Sequence, residues 1–244
     1  MSEGVSGLAD RTVILHYHFF KNAGTSFDGI LRRNFPGRWV SQEFDSGNNS
    51  AAVADWILAH PEAAAFSSHT ANGPLPVVPG VRVISALFLR DPVERIRSAY
   101  LFERRQTFPE DSDRAARNLA AKTDFEGYVR ARVSVRGDRQ CRNFHCARLA
   151  TFLRSTEPEL DQAKAALKLL SFVGEVETFA ASMRRFAALV RPVWPGFDPA
   201  MLHLNRTRED EPVEISADLA HFLAENNAED QALLEWAHGA ILRD

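Results

Sequence analysis

Thr12-Val13-Ile14-Leu15-His16-Tyr17, continuing through His18-Phe19-Phe20-Lys21-Asn22-Ala23-Gly24-Thr25-Ser26 to Phe27, is the stretch on which the fold turns. Its first six residues are β-branched and apolar, the pattern of a buried strand. Asn22-Ala23-Gly24 breaks that pattern, and Phe27, Ile30, Leu31 and Phe35 then recur at helical spacing. The unit is strand, loop and helix in direct succession.

Similar units follow. Val81 to Leu89 is apolar enough for a strand buried on both faces, and Ala64–Ser67 and Phe172–Gly174 read as shorter strands. After Leu89, Asp91-Pro92-Val93-Glu94 is a helix start, with Asp91 as N-cap, Pro92 at the first helical position and Glu94 placed for a capping box. That helix is expected to run to about Arg105, burying Val93, Ile96, Ala99, Tyr100 and Phe102 and turning Arg95, Arg97, Arg104 and Arg105 mostly outward. Further helices are expected at Phe125–Arg132, Arg142–Arg154 and Leu160–Leu170, and around Phe179, Met183, Phe186 and Val190. Prolines 192, 195, 199 and 212 mark a loop, and one last helix spans Ala217 to Ile241. Strands alternating with helices predict an α/β fold, a parallel β-sheet flanked by helices, as one domain over residues 1–244.

Composition narrows the function classes. The 244 residues are 45% apolar and 25% charged, which is ordinary for a globular chain, and the formal net charge of −3 gives no general polycation. Wholesale binding to nucleic acid is therefore not expected, and any anion site must be local. Met1 to Arg11 lacks the apolar core of a secretory signal and no later stretch approaches a membrane span, so a cytoplasmic location is expected. Cys141 and Cys146 lack zinc-site spacing and read as two reduced thiols or a local disulfide.

A strand running through Lys21-Asn22-Ala23-Gly24-Thr25-Ser26 into a helix presents backbone N–H groups and a positive dipole end to an anion. Gly24 permits close approach, Thr25 and Ser26 offer hydroxyls, and Lys21 adds a point charge. Lys21 precedes Gly24 instead of following it, so the segment does not match the nucleotide-triphosphate loop GxxxxGK[ST]. A second strand-to-helix junction, Leu89 to Arg95 with Ser98 beyond, offers Arg90 and Ser98 to a second phosphate.

On these residues the chain resembles a known family. His18 to Phe27 is similar to the 5′-phosphosulfate loop of carbohydrate sulfotransferases, and Phe88-Leu89-Arg90-Asp91-Pro92-Val93-Glu94-Arg95 with Ser98-Ala99-Tyr100 resembles their 3′-phosphate motif. The order and spacing fit the heparan sulfate 2-O- and 6-O-sulfotransferase group. A weaker likeness runs through Leu160–Lys164, Phe172–Glu175 and His203–Thr207; Phe20 departs from it, standing where that family usually has proline. The resemblance implies a P-loop-like sulfotransferase fold and sulfuryl transfer from 3′-phosphoadenosine-5′-phosphosulfate (PAPS), with no metal expected. It implies that Lys21, Asn22, Ala23, Gly24, Thr25 and Ser26 bind the 5′-phosphosulfate, Arg90 and Ser98 the 3′-phosphate, and Thr207 part of the same nucleotide. The family's general base is a histidine between the two motifs, where this chain has His69 in Ser67-Ser68-His69-Thr70.

The chemistry wants such a residue, because a hydroxyl is a poor nucleophile until a positioned base takes its proton. Imidazole suits neutral pH. His16 and His18 are rival bases just before the lysine loop; equally, His69 can be an ordinary strand-end histidine, Lys21 a solvated lysine, and Arg90 a partner of Asp91 or Glu94. Arg130, Arg132, Arg136, Arg139, Arg142 and Arg148 form a basic run against Asp138 alone, either a solvated face or a groove for an anionic acceptor such as a charged glycan. The four tryptophans read as core. Two rival functions stand beside the sulfotransferase: a kinase-like P-loop phosphotransferase, which should show GK[ST] and an acidic magnesium ligand, and a non-catalytic nucleotide- or glycan-binding module.

Overall fold

The computed structural model describes residues 11–107, 118–200 and 213–242. Thr207, with the rest of the His203–Thr207 likeness, lies outside the described residues. Five strands, β1 (Arg11–Tyr17), β2 (Trp39–Ser41), β3 (Ala65–Ser68), β4 (Val81–Leu89) and β5 (Phe172–Glu175), form one sheet in the order β2-β3-β1-β4-β5. Every pairing is parallel. The fold is the expected α/β sheet flanked by helices.

Alternation along β1 assigns its two faces. Ile14 joins Phe27, Ile30 and Leu31 of α1 (Gly24–Asn34) and Phe179, Met183, Phe186 and Val190 of α8 (Phe179–Val190) on one face. Val13, Leu15 and Tyr17 face α2 (Ser50–Ala59), α6 (Phe144–Ala150), α7 (Glu159–Leu169) and α10 (Ala228–Ala240) on the other. A third cluster, away from the sheet, packs α3 (Pro92–Arg104) on α4 (Leu119–Lys122), α5 (Phe125–Ser134) and α9 (Ala217–Asn226). Each fully buried leucine or phenylalanine of these clusters contributes about 1.5–3 kcal/mol, so apolar burial on both faces holds the sheet.

Several local expectations are corrected. Asp91 does cap α3, its carboxylate accepting from the Glu94 N–H at 2.9 Å. Arg95, however, is not outward but fully buried, stacked 4.4 Å from the Phe144 ring and donating to the Gln140 carbonyl. Phe102 is the reverse, 42% exposed where the periodicity placed it inside. The last helix is two, α9 and α10, divided at Asn227, whose side chain donates to the Cys141 and Leu223 carbonyls and accepts from the Asn143 N–H. The helix expected from Arg142 to Arg154 contracts to α6. Both cysteines are free and buried. No helix of the described residues is long and apolar enough to cross a membrane.

Candidate active site

Because β3 and β4 flank β1, the carboxyl ends of three parallel strands lie side by side, with His16 in register with Ser67 and Ala86. Ligands of open α/β sheets gather at that edge. The loop after β1 carries Lys21 and Ala23 in the left-handed region, at φ 63° and 56°. Helix α1 begins at Gly24 with no side-chain cap and no acid in its first turn. Left-handed residues feeding a helix start without a side-chain cap are the kind of backbone that can take an anion, although the Asn22 and Ser26 N–H groups are donated to the Phe19 and Ala23 carbonyls.

Asn22 fixes this loop from beneath. Its buried Nδ2 donates to the Phe88 carbonyl at 2.6 Å and to His145 Nε2 at 2.7 Å. His145 in turn donates Nδ1–H to Asp230 of α10 at 3.1 Å, and Asp230 also accepts the N–H groups of His145 and Cys146. Burial pushes the Asp230 carboxyl up, but His145 and the backbone donors outweigh it and hold it low. The C-terminal helix is thereby tied to the phosphate-type loop.

Three cations converge beside the loop. Arg90 leaves β4, donates to the Lys21 carbonyl at 3.0 Å and stands 3.8 Å from Glu177, not paired with Asp91 or Glu94. The Lys21 ammonium lies 4.4 Å above the ring of Phe102, which in turn meets Phe20. Burial depresses the Lys21 pKa, and the charges of Arg90 and Arg105 depress it further. Such mutual repulsion is relieved by an anion. Ser98 is buried in the second turn of α3, two turns of helix from the Arg90 junction.

His69 follows β3 directly. Its Nδ1 lies 2.8 Å from Glu43, which also accepts from the Thr70 hydroxyl at 2.7 Å and the His69 N–H at 3.2 Å. Burial pushes the Glu43 carboxyl up, yet the bonds from Thr70 and His69 bring it below its ordinary value. An ionised carboxylate only accepts, so the His69 Nδ1 carries a proton. The His69 ring stacks on His18 at 3.8 Å, and the His18 ring lies against Gly24, where a β-carbon would come 2.5 Å from Cγ and closer still to Cδ2 and Nε2. His69 is thus joined through His18 to the anion loop.

Asp28 of α1 accepts from His16 Nδ1 at 2.8 Å through one oxygen and from His18 Nδ1 at 3.0 Å through the other. Burial raises its pKa, and the two imidazoles lower it far more, keeping it ionised. These three side chains lie within 4.8 Å of one another, a spacing a metal ion could use. Each Nδ1 meets its own oxygen, which is the pattern of two N–H···O bonds instead of convergence on one ion.

The basic run divides. Arg130 pairs with Glu126, Arg132 with Glu103 and Asp138, and Arg139 with Glu159, while Arg142 donates to the Val133 carbonyl and Arg136 is exposed. Arg148 reaches the His69 carbonyl at 3.0 Å. It also lines an open recess of about 630 Å³ together with Arg132, Arg139, Gln140 and Phe144. So the run supplies one arginine to the His69 carbonyl and two paired ones to a neighbouring recess.

The structure therefore brings Lys21, Asn22, Ala23, Gly24, Arg90 and His69 to one sheet edge, with Thr25 and Ser26 in the first turn of α1. Sequence reasoning missed Glu43, Asp28, Glu177 and the His145–Asp230 pair. Glu43 left a trace, as an acid just after Trp39-Val40-Ser41, a short segment that pairs with β3, and Asp28 left another, one turn into the helix that follows β1.

An α/β chain with a parallel sheet, whose first strand leads through left-handed residues into a helix without a side-chain cap, is the class these features define. No family model matches the chain. It is 37% identical over 245 residues to an uncharacterized protein of Archaeoglobus fulgidus, an alignment covering 93% of this chain and 96% of that protein, and it belongs to that protein's family.

Proposed function

We propose that the protein transfers a sulfuryl group from PAPS to an acceptor hydroxyl. The observation that carries this reading is the junction of an uncapped, left-handed loop bearing Lys21 and held by Arg90 with an oriented Glu43–His69 pair. The donor's 5′-phosphosulfate fits the positive end of α1, which lacks a side-chain cap, and the charges of Lys21 and Arg90 beside it. Arg90 and Ser98 are the candidate readers of the 3′-phosphate, and Thr207 is assigned by resemblance alone.

In this reading Glu43 holds the His69 tautomer, and His69 Nε2 takes the acceptor's proton as its oxygen bonds to sulfur. The bond from sulfur to the 5′-phosphate oxygen breaks, and Lys21 with the loop N–H groups stabilises the negative charge that develops on that oxygen. A hydroxyl of a carbohydrate is the proposed acceptor, with Arg148 beside the base suited to an anionic one.

The test is transfer of labelled sulfate from PAPS to a panel of glycans and small alcohols, with and without chelator. Lys21→Ala should nearly abolish turnover and weaken binding of the desulfated nucleotide less. Labelled transfer from ATP instead would favour the phosphotransferase, and nucleotide binding without turnover on any acceptor would favour the binding module.

A further inference from the structure

We propose that His18 is itself a ligand of the anion held by the β1–α1 loop, and that it takes up one proton from solution as that anion binds. This rests on the reading of the loop as the donor's phosphosulfate site, and it assigns that site a titrating group.

Three observations place His18 there. Its ring sits flat enough on Gly24 that any β-carbon would collide with the Cδ2–Nε2 edge, so that edge adjoins the first residue of α1. Its hydrogen bonding among the described residues uses Nδ1 alone, toward Asp28. Since Asp28 is an acceptor, Nδ1 carries hydrogen and Nε2 is the unprotonated edge beside the loop. A histidine kept for packing has no need of a carboxylate beneath it and a glycine cut to its ring.

The surrounding charges make the imidazole responsive. Burial favours its neutral form; Asp28 on α1 opposes that, His16 on β1 reinforces it, and Glu43, beyond β2, opposes it weakly. His69, at the end of β3, stacks on it and is held by Glu43 and backed by Arg148 of α6. The positive end of α1 also favours the neutral ring. An anion arriving about 4 Å from a partly buried imidazolium favours the charged form about a thousandfold. Nε2–H then donates a charge-assisted bond to the anion.

The experiment is calorimetric binding near pH 7 in PIPES, HEPES and Tris, whose ionisation enthalpies differ, using adenosine 3′,5′-bisphosphate and, separately, pyrophosphate. The expected uptake is between about 0.5 and 1 proton per anion in the wild type, falling to near zero in His18→Gln, which keeps a polar but non-titrating end group. His18→Asn, which retains the bond to Asp28, should behave likewise and serves if His18→Gln folds poorly. Uptake with pyrophosphate and no binding of the nucleotide would sink the PAPS reading and leave His18 assigned. Binding without uptake, uptake that survives both His18 variants, or uptake abolished by His69→Gln alone would overturn the proposal. Binding of neither anion would overturn both.

Discussion

Replacing Gly24 with alanine adds one methyl group at the point where the loop, the helix and the imidazole column meet. The new carbon would lie 2.5 Å from His18 Cγ and closer to two other ring atoms, whereas ordinary contact begins at 3.4 Å. Either the ring or the first turn of α1 must therefore yield by about 1 Å, and neither is a flexible end: His18 is held by Asp28 and His69, and α1 by Phe27 in the core. Overpacking of this kind costs about 1–3 kcal/mol, which for a chain of this size lowers the melting temperature by about 2–10 °C. A displacement of about 1 Å at a site that positions reacting groups costs turnover about a hundredfold. Thermal unfolding and the labelled-sulfate assay measure the two effects together. His18→Ala in the same background should recover most of the lost melting temperature, because it removes the obstructing ring, while turnover stays low. A Gly24→Ala protein with wild-type melting temperature and rate would refute the contact and the positioning argument with it.

His69→Ala should lower turnover by about a hundredfold or more and remove the acidic limb of the pH–rate profile, with nucleotide affinity nearly intact; Glu43→Gln should cost less, since Nε2 survives. Near-normal turnover in His69→Ala would move the assignment to His18. Arg90→Ala should bring affinity for adenosine 3′,5′-bisphosphate down towards that for adenosine 5′-phosphate, read by competition binding; a wild type indifferent to the 3′-phosphate would count against the donor. Arg148→Ala should raise the acceptor's KM and flatten its salt dependence, whereas Arg130→Ala, already paired with Glu126 on the surface, should change neither. Asp28→Ala should cost about 1–3 kcal/mol at neutral pH, because it leaves the buried His18 Nδ1–H without its partner while His16 keeps Ser67 Oγ at 3.0 Å. Its carboxyl is depressed in the folded state, so this stabilisation is complete above the ordinary carboxylate value of 3.8 and fades as pH falls below it. Chemical denaturation at pH 7 and pH 3 should show the gap to wild type closing.

The sheet was legible because β1 and β4 are apolar on both faces, a pattern only a strand covered by helices on each side satisfies. The start of α3 was legible because a cap is local chemistry, set by Asp91, Pro92 and Glu94 alone. Where the reading failed, a distant segment had intervened. Arg95 is drawn inward by Phe144 and the Gln140 carbonyl, far along the chain, and Phe102 is held outward between Phe20 and Lys21. Asn227 divides the last helix because its amide binds Cys141 and Asn143 across the domain. None of these partners falls within the window that periodicity surveys.

The site follows the same division. Lys21, Gly24 and Arg90 sit at strand-to-helix junctions, where sequence adjacency is also spatial adjacency, so a motif finds them. Their supporting carboxylates are contributed by neighbouring elements: Glu43 comes from just beyond the strand beside β3, and Asp230 from α10. The basic run shows the opposite error, because a tally of arginines between 130 and 148 ignores acids elsewhere; Glu103 and Glu159 neutralise two of them, while Arg148 is the member that reaches the His69 carbonyl. Asp28 is the instructive intermediate. Period-two alternation puts His16 on the α1 face of β1, and Asp28 lies one turn into α1, so the meeting of two imidazoles with one carboxylate is already implied once the strand–loop–helix unit is accepted. What the chain could not reveal by itself is that the loop between them would be tight enough to press His18 onto Gly24. That closeness depends on left-handed backbone at Lys21 and Ala23, two positions where neither residue is glycine and nothing in their side chains requires it.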